Sequence, residues 1–448
     1  MASKLTFKGG IHPLKAIHHG KYLSEKSAVE KCSVPEEIIL PLSQHIGAPS
    51  VPVVKVGDKV DMGQMIADAS GYVSVPSFSS VSGTVKAIEP RPHISGRPGM
   101  SIVIENDFED RLYPGIKSPG KLADLSPKEI VDIIKGAGIV GMGGAAFPTH
   151  VKLSPPPEKK IDTLIVNGAE CEPYLTADHR IMLEHPDEMV RGLEAVMKVL
   201  GVKNAYIAIE DNKRDAIAAV SKAAQGKNID VVTMCVKYPQ GAEKQLIYAV
   251  TKRQIPSGGL PMDVGAVVVN AGSAYQICLA IEQGLPLFER VVTVTGSVNN
   301  PSNLLVRLGT PISHVIGFVG GFSGKIEKLI AGGPMMGITQ HSLDAPVMKG
   351  TSGLLALDTG MVRSAEESSC IRCGKCVYVC PMGLLPYLLS DYSQHDRFED
   401  AEKNHVLDCI ECGSCAYVCP ANRHLVQEMS LAKSQIMQKR KKAKSSTN

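Results

Sequence analysis

Cys370-Ile-Arg-Cys373-Gly-Lys-Cys376-Val-Tyr-Val-Cys380-Pro381 is followed by Cys409-Ile-Glu-Cys412-Gly-Ser-Cys415-Ala-Tyr-Val-Cys419-Pro420. The second stretch repeats the first at an offset of 39 residues, which also aligns Gly374 with Gly413, Tyr378 with Tyr417 and Val379 with Val418. Eight of the 12 cysteines lie in this duplication. The other four, Cys32, Cys171, Cys235 and Cys278, are scattered and read as buried apolar fillers. A chain of 448 residues has room for several cores and does not need disulfide staples. Its start, Met1-Ala-Ser-Lys-Leu-Thr-Phe-Lys, has no apolar signal stretch, and no segment approaches a membrane-spanning run of about 18 apolar residues. Clustered thiols in such a chain point to chemistry. The net charge of +3, from 48 basic and 45 acidic residues, argues against a dedicated nucleic-acid binder.

The spacing C-x2-C-x2-C-x3-C-P, present twice, is the pattern of two-cluster ferredoxins. Three thiolates at three-residue steps wrap three corners of one cluster, and the fourth, beyond a turn, reaches the other. That pattern assigns Cys370, Cys373, Cys376 and Cys419 to one [4Fe–4S] cluster. Cys409, Cys412, Cys415 and Cys380 fall to the second. Structural zinc commonly takes two C-x2-C pairs and leaves the extra thiols unexplained. Such clusters pass single electrons, so another part of the chain or a partner must supply or take them.

Ser126-Pro-Lys-Glu129 predicts a capped helix start, with Ile130, Ile133 and Ile134 at helical spacing. A glycine-rich stretch follows, Gly141-Met-Gly143-Gly144-Ala-Ala-Phe147-Pro-Thr-His-Val-Lys152. Such a turn lets backbone N–H groups approach a phosphate or a flat ring, and equally serves as a tight structural turn. Asp162–Val166, Ala205–Glu210 and Val264–Asn270 read as strands, alternating with helical stretches at 182–200, 212–225 and 274–284. Polar groups at the carboxyl ends of such strands, here Asn167, Glu170, Glu172 and Asn270, stand where open α/β sheets bind ligands, and Glu170 and Glu172 read equally as solvated loop carboxylates.

Gly-x-Gly-Gly-x-x-Phe-Pro-Thr-x-x-Lys, followed by Asn-x-x-Glu-x-Glu-Pro, resembles the flavin domain of the 51-kDa, NADH-oxidising subunit of respiratory complex I. The whole chain, from Phe7-Lys-Gly-Gly-Ile-His-Pro13 through Tyr238-Pro-Gln-Gly-Ala-Glu243-Lys to the twin cysteine motifs, resembles the RnfC family, the C subunits of Rnf complexes. That resemblance implies a ferredoxin:NAD oxidoreductase subunit with FMN, two [4Fe–4S] clusters and NAD(H). It implies a peripheral position on the cytoplasmic face of the cell membrane, with other Rnf subunits and, indirectly, ferredoxin as partners, and ion transport by those partners. Carried onto this sequence, the flavin site comprises Gly141, Gly143, Gly144, Lys152, Asn167, Glu170, Glu172, Glu243 and Asn270. Met142, Ala146 and His150 depart from the complex I pattern, and a methyl at Ala146 is placed to crowd the flavin ring.

The resemblance implies a multidomain α+β chain. Its parts are an N-terminal extension (1–40), a β barrel-sandwich module (41–110), a Rossmann-like α/β FMN/NAD domain (118–286), a β-grasp SLBB module (287–348) and a helical ferredoxin-like domain (360–430). A basic tail (431–448) ends the chain. Residues 53–64 read as a tight hairpin. The barrel-sandwich tip, 68–77, lacks the lysine that lipoyl and biotinyl carriers modify, so it reads as a scaffold, with a docking surface as the functional alternative. Residues 346–366 read as a linker. Six cations and no acids in 433–448 read as a solvated terminus or a contact to an anionic membrane surface, and leave the remaining chain at net −3. Two alternatives stand beside this reading. One is the cobalamin reductase of diol-utilising microcompartments, whose barrel-sandwich module lies at the other end. The second is an electron wire without flavin.

Overall fold

Four strands, Thr163–Gly168, Ala205–Glu210, Ile229–Met234 and Ala266–Asn270, form an all-parallel sheet at the centre of the computed structural model, which describes residues 4–362 and 366–445. Numbered along the chain, these strands lie in the spatial order 3-2-1-4. Alternate residues feed two separate cores. Leu164, Val166, Ile207, Ile209, Val267 and Val269 face helices Pro127–Gly136, Pro186–Leu200, Arg214–Ala223 and Ala271–Gln283. Ile165, Ala208 and Val268 face helix Glu243–Thr251 and Leu5 of the N-terminal segment. Burial on both faces explains why these strands read as continuous apolar runs rather than alternating ones. The first helix starts as its sequence predicts: Ser126 Oγ accepts from the Glu129 N–H, and the Glu129 carboxylate accepts from the Ser126 N–H.

The two β modules flank this sheet and share one continuous apolar core, although the α/β domain separates them in sequence. Ile38, Leu40, Ile66, Ile102 and Ile104 on one side meet Val292, Leu304, Val306 and Leu354 on the other. Ser80 Oγ donates to the Leu308 carbonyl at 2.6 Å, and the Ile39 N–H donates to the Gly309 carbonyl at 2.9 Å. Methyl groups at Met142 and Ala146 also lie in this core. Ala146, in the left-handed region at φ 53°, therefore sends its methyl into apolar packing rather than crowding a ring.

Four local expectations change. Residues 53–64 do not form a hairpin: Val51–Pro52 pairs with Met65–Asp68 in one sheet, and Lys59–Val60 pairs with Gly83–Arg91 in another. The chain turns a corner between two faces of a sandwich there. The stretch read as a linker holds strand Gly353–Asp358, which pairs with Glu289–Gly296 and Ile326–Ala331 in a six-stranded sheet; residues 363–365 lie outside the described residues. The N-terminal extension is woven into three modules. Val29–Lys31 pairs with Ser302–Arg307, Glu37–Pro41 with Gly99–Asn106, and Leu5 bridges Met234.

The basic tail begins as helix Leu425–Ser445, with 446–448 outside the described residues. Leu425, Met429, Ala432 and Ile436 form a buried stripe at helical spacing. Each large side chain in it contributes roughly 1.5–3 kcal/mol, which a reading of the charges alone overlooks. Lys433 pairs with Glu411 at 2.5 Å, and Lys439 and Arg440 pair with Glu399 and Glu402. Lys433, Lys439 and Arg440 thus answer acids of this chain.

Helix 186–200 crosses helix 271–283 at Gly192, where an added methyl would overlap the Ala274 carbonyl oxygen. Gly192→Ala should destabilise the protein by about 1–3 kcal/mol through overpacking. A clear fall in melting temperature with unchanged secondary structure is the expected result, read by circular dichroism.

Candidate cofactor cleft and paired thiol sites

In the parallel sheet, strands 163–168 and 266–270 are neighbours, and the strand order reverses between them. Asn167 lies in register with Asn270 at their carboxyl ends. This is the switch point at which open α/β sheets bind ligands. Around it stand the glycine loop, the 168–176 segment, the 238–243 segment and the starts of helices Ala177–Glu184 and 271–283. Asn270 caps the latter helix: its Oδ1 accepts from the N–H groups of Gly272 and Ser273, at 2.9 and 3.3 Å. Its Nδ2 donates to Asp178 Oδ2 at 2.6 Å. Asn167 braces the facing rim, donating to the Gly241 carbonyl at 2.8 Å and accepting from the Ala169 N–H.

The glycine loop is pinned from beneath. The Met142 N–H donates to Ser273 Oγ at 3.0 Å, and Ser273 Oγ donates to the Val140 carbonyl at 2.8 Å. Arg290, buried, donates to the carbonyls of Met142 and Lys349. Burial holds its guanidinium down to about 10. A methyl at Gly143 would lie 2.5 Å from Asn270 Nδ2, whereas Gly144 faces open space. Gly143, Asn167 and Asn270 therefore gather at one crevice, with Gly141 and Gly144 in the same loop as Gly143.

Glu170 reaches the same place through helix 177–184, accepting from the N–H groups of Asp178 and His179. Burial, then the nearby Glu170, raises the Asp178 carboxyl well above its ordinary range. Lys152 and Glu243 are engaged with each other at 2.7 Å, with Lys152 also close to the Val268 carbonyl. Glu172 points the other way: its carboxylate accepts from the N–H groups of Met335 and Met336, at 3.1 and 2.8 Å. Burial raises that carboxyl from 4.5 to about 7.

Sequence reasoning passed over several residues here. Asp178, Arg290 and Lys349 carry no motif, and only the fold brings them to the crevice. Lys349 Nζ is fully buried and donates to the carbonyls of Pro76 and Gly138, 2.8 Å each. It ties the barrel-sandwich tip to the loop. His150 does the same, its Nε2 donating to the Tyr72 carbonyl at 3.0 Å. Gln240, fully buried on the 238–243 rim, has neither end of its amide engaged by protein. Buried polar groups in that state need a partner.

The thiols fall into two sets. One cavity is lined by Cys370, Cys373, Cys376 and Cys419, the other by Cys380, Cys409, Cys412 and Cys415. Each draws its fourth cysteine from the other repeat. Backbone geometry is duplicated too. The N–H of Arg372 donates to Cys370 Sγ and that of Glu411 to Cys409 Sγ, both at 3.4 Å, with φ of 54° and 55°. None of the twelve cysteines is paired in a disulfide. Thiols spread around two voids suit a group larger than a single ion.

Four family models match the chain in order. They are the RnfC barrel sandwich hybrid domain at residues 5–109, the Nuo51 FMN-binding domain at 134–279, the SLBB domain at 291–339 and a 4Fe-4S dicluster domain at 369–423. Together with the crevice and the paired thiol sets, they define an oxidoreductase subunit whose cofactors are FMN and two 4Fe–4S clusters. Over 442 residues the chain is 50% identical to the C subunit of the Na(+)-translocating ferredoxin:NAD(+) oxidoreductase complex of Acetobacterium woodii, covering 98% of each chain. It is 50% identical over 432 residues to the counterpart from the proton-translocating complex of Clostridium ljungdahlii, covering 96% of this chain and 94% of that one. The C subunit of the ion-translocating oxidoreductase complex of Rhodobacter capsulatus is 42% identical over 439 residues, covering 97% and 84%. The chain belongs to this family, the C subunits of ion-translocating ferredoxin:NAD(+) oxidoreductase complexes.

The raised Glu172 carboxyl has a consequence for stability. The folded state keeps this proton to higher pH than the unfolded chain, so stability falls as pH rises from about 4.5 to about 7. Glu172→Gln should flatten that part of a melting-temperature profile; an unchanged slope would assign it to other groups.

Proposed function

We propose that this chain is the NAD(H)-reacting subunit of a membrane-bound, ion-translocating ferredoxin:NAD oxidoreductase. Gly141, Gly143 and Gly144, with Lys152, would hold FMN, and Asn167, Glu170, Glu243 and Asn270 would supply its polar contacts, while Glu172 braces the 335–336 turn instead. Cys370, Cys373, Cys376 and Cys419 would ligate one [4Fe–4S] cluster, and Cys409, Cys412, Cys415 and Cys380 the other. Bound FMN supplies the conversion between hydride and single electrons. The protein's share is placement. Asn270 and Asn167 fix the two rims, Ser273 and Arg290 hold the loop's shape, and the apolar core beneath Met142 and Ala146 excludes water from behind. The division of eight thiols into two swapped sets carries this reading.

The relatives' names support a place in a multisubunit complex. Among the described residues no helix is long and apolar enough to cross a membrane, which supports assigning ion movement to partner subunits. The same reading puts the chain on the cytoplasmic face of the membrane, peripheral, and lets ferredoxin electrons arrive through those partners. The N-terminal position of the barrel-sandwich match favours this over a microcompartment cobalamin reductase.

Purified and reconstituted, the full chain should contain about eight irons, release FMN on denaturation and lose visible absorbance on addition of NADH. Iron without flavin or bleaching would favour the electron-wire reading. Gly143→Ala should cut flavin content severalfold while iron content holds, because its methyl would displace Asn270. Co-expressed with its partner subunits, the chain should sediment with membranes; recovery in the supernatant would count against the peripheral placement.

A further inference from the structure

The segment Phe7-Lys-Gly-Gly-Ile-His-Pro13 has no assigned role in the cleft or the thiol sites, yet it lies between them. The Gly10 N–H donates to the Val379 carbonyl at 2.8 Å, and Ile11 exchanges backbone hydrogen bonds with Tyr238. Both glycines sit at positive φ, 84° and 79°. A methyl at Gly9 would lie 2.9 Å from the Cys380 carbonyl oxygen, and one at Gly10 would lie 2.6 Å from that of Tyr238. The segment is thus a thin wedge between the cleft rim at Tyr238 and the loop carrying Cys380.

Tyr238 completes the junction. Its side chain is 1% exposed, and its hydroxyl donates to the Cys412 carbonyl at 2.7 Å. Ile11, Tyr238 and Cys412 form a small buried core joined by Cys171, Met335 and Val379. Gln245 Nε2 donates to the Pro381 carbonyl at 3.2 Å, and Ser257 Oγ to the Asp408 carboxylate. Every one of these contacts falls on the set formed by Cys380, Cys409, Cys412 and Cys415 or on residues beside it. The other set differs. Cys370 and Cys373 are exposed, Ile371 is 69% exposed, and Tyr378 is 84% exposed.

Resting on the cofactor assignment above, we infer that the two thiol sets are ordered. Cys380, Cys409, Cys412 and Cys415 form the inner site, seated against the flavin cleft by the Phe7–Pro13 wedge and Tyr238. Cys370, Cys373, Cys376 and Cys419 form the outer site, at the edge where a one-electron protein carrier is met. A single electron leaving the cleft passes through the inner site and then the outer one, each site gaining and losing one electron in turn, with no bond made or broken. Tyr238 is a positioning residue. Its hydroxyl touches a ligand's carbonyl, and loss of a donor beside a cluster disfavours the more negative reduced form.

The test uses the full chain with both clusters loaded and chemically reduced, so it does not depend on NADH or flavin. Electron paramagnetic resonance is recorded with and without an aqueous dysprosium chelate, which speeds relaxation of exposed centres. One of the two signals should respond strongly and the other weakly. In Tyr238→Phe, the weakly responding signal should move to lower midpoint potential, and the responsive one should stay in place. Gly9→Ala should broaden or shift the same inner signal. Equal relaxation of both signals, or a Tyr238→Phe shift confined to the responsive one, would overturn the order while leaving the cofactor assignment intact. Iron well below about eight per chain in the wild type would instead remove the assignment and the order with it.

Discussion

Asn167 and Asn270 stand side by side because two parallel strands of one sheet are neighbours in register at the point where the strand order reverses. That reversal places the crevice, and each of the other modules attaches at its rim. The barrel-sandwich tip meets the glycine loop through Tyr72 and His150 and through Lys349. The 332–337 turn meets the 168–176 segment through Glu172. The cluster domain meets the 238–243 segment through Tyr238. Each attachment holds a different wall, so the cleft is shaped by parts remote in sequence. A protein that must bring separate redox groups close together needs such fixed spacing.

The attachments include buried polar groups beside their apolar contacts. Lys349 and Arg290 are buried yet spend their donors on backbone carbonyls. Glu210 and Lys213 form an ion pair at 2.8 Å with both side chains 1% exposed. Buried charges of this kind add little net stability when compared with well-packed apolar residues, but they penalise any arrangement that leaves them unpaired. Their use here fits a need for one geometry rather than for maximum stability.

Much of this was legible in the sequence where chemistry is local. The cysteine spacing identified the thiol sets, and their division into two cavities follows the swapped pattern. Three of the four parallel strands announced themselves as apolar runs, and Ser126-Pro-Lys-Glu129 announced its helix. What escaped depends on distant parts of the chain. Val53–Gln64 has hairpin chemistry at Gly57-Asp58, but its flanks join different sheets because a sandwich has two faces to fill. Leu425–Ser445 looked like a charged tail because its lysines outnumber its buried stripe. Strand 353–358 is short, and only its neighbours make it part of a sheet. Glu172 was placed correctly at a strand end, yet its carboxylate is taken by the 335–336 backbone.

The wedge at Phe7–Pro13 and the strand at Val29–Lys31 pair with residues several hundred positions further along the chain. Val29–Lys31 waits for Ser302–Arg307, and Gly10 waits for Val379. Long-range pairings of this kind are slow to close. The segment Phe7–Pro13 therefore cannot finish folding as it emerges, and the junction between cleft and thiols forms only once Val379 and Cys412 have followed. Assembly of the inner metal centre is in this way tied to a late step of folding, and its seat waits for its ligands.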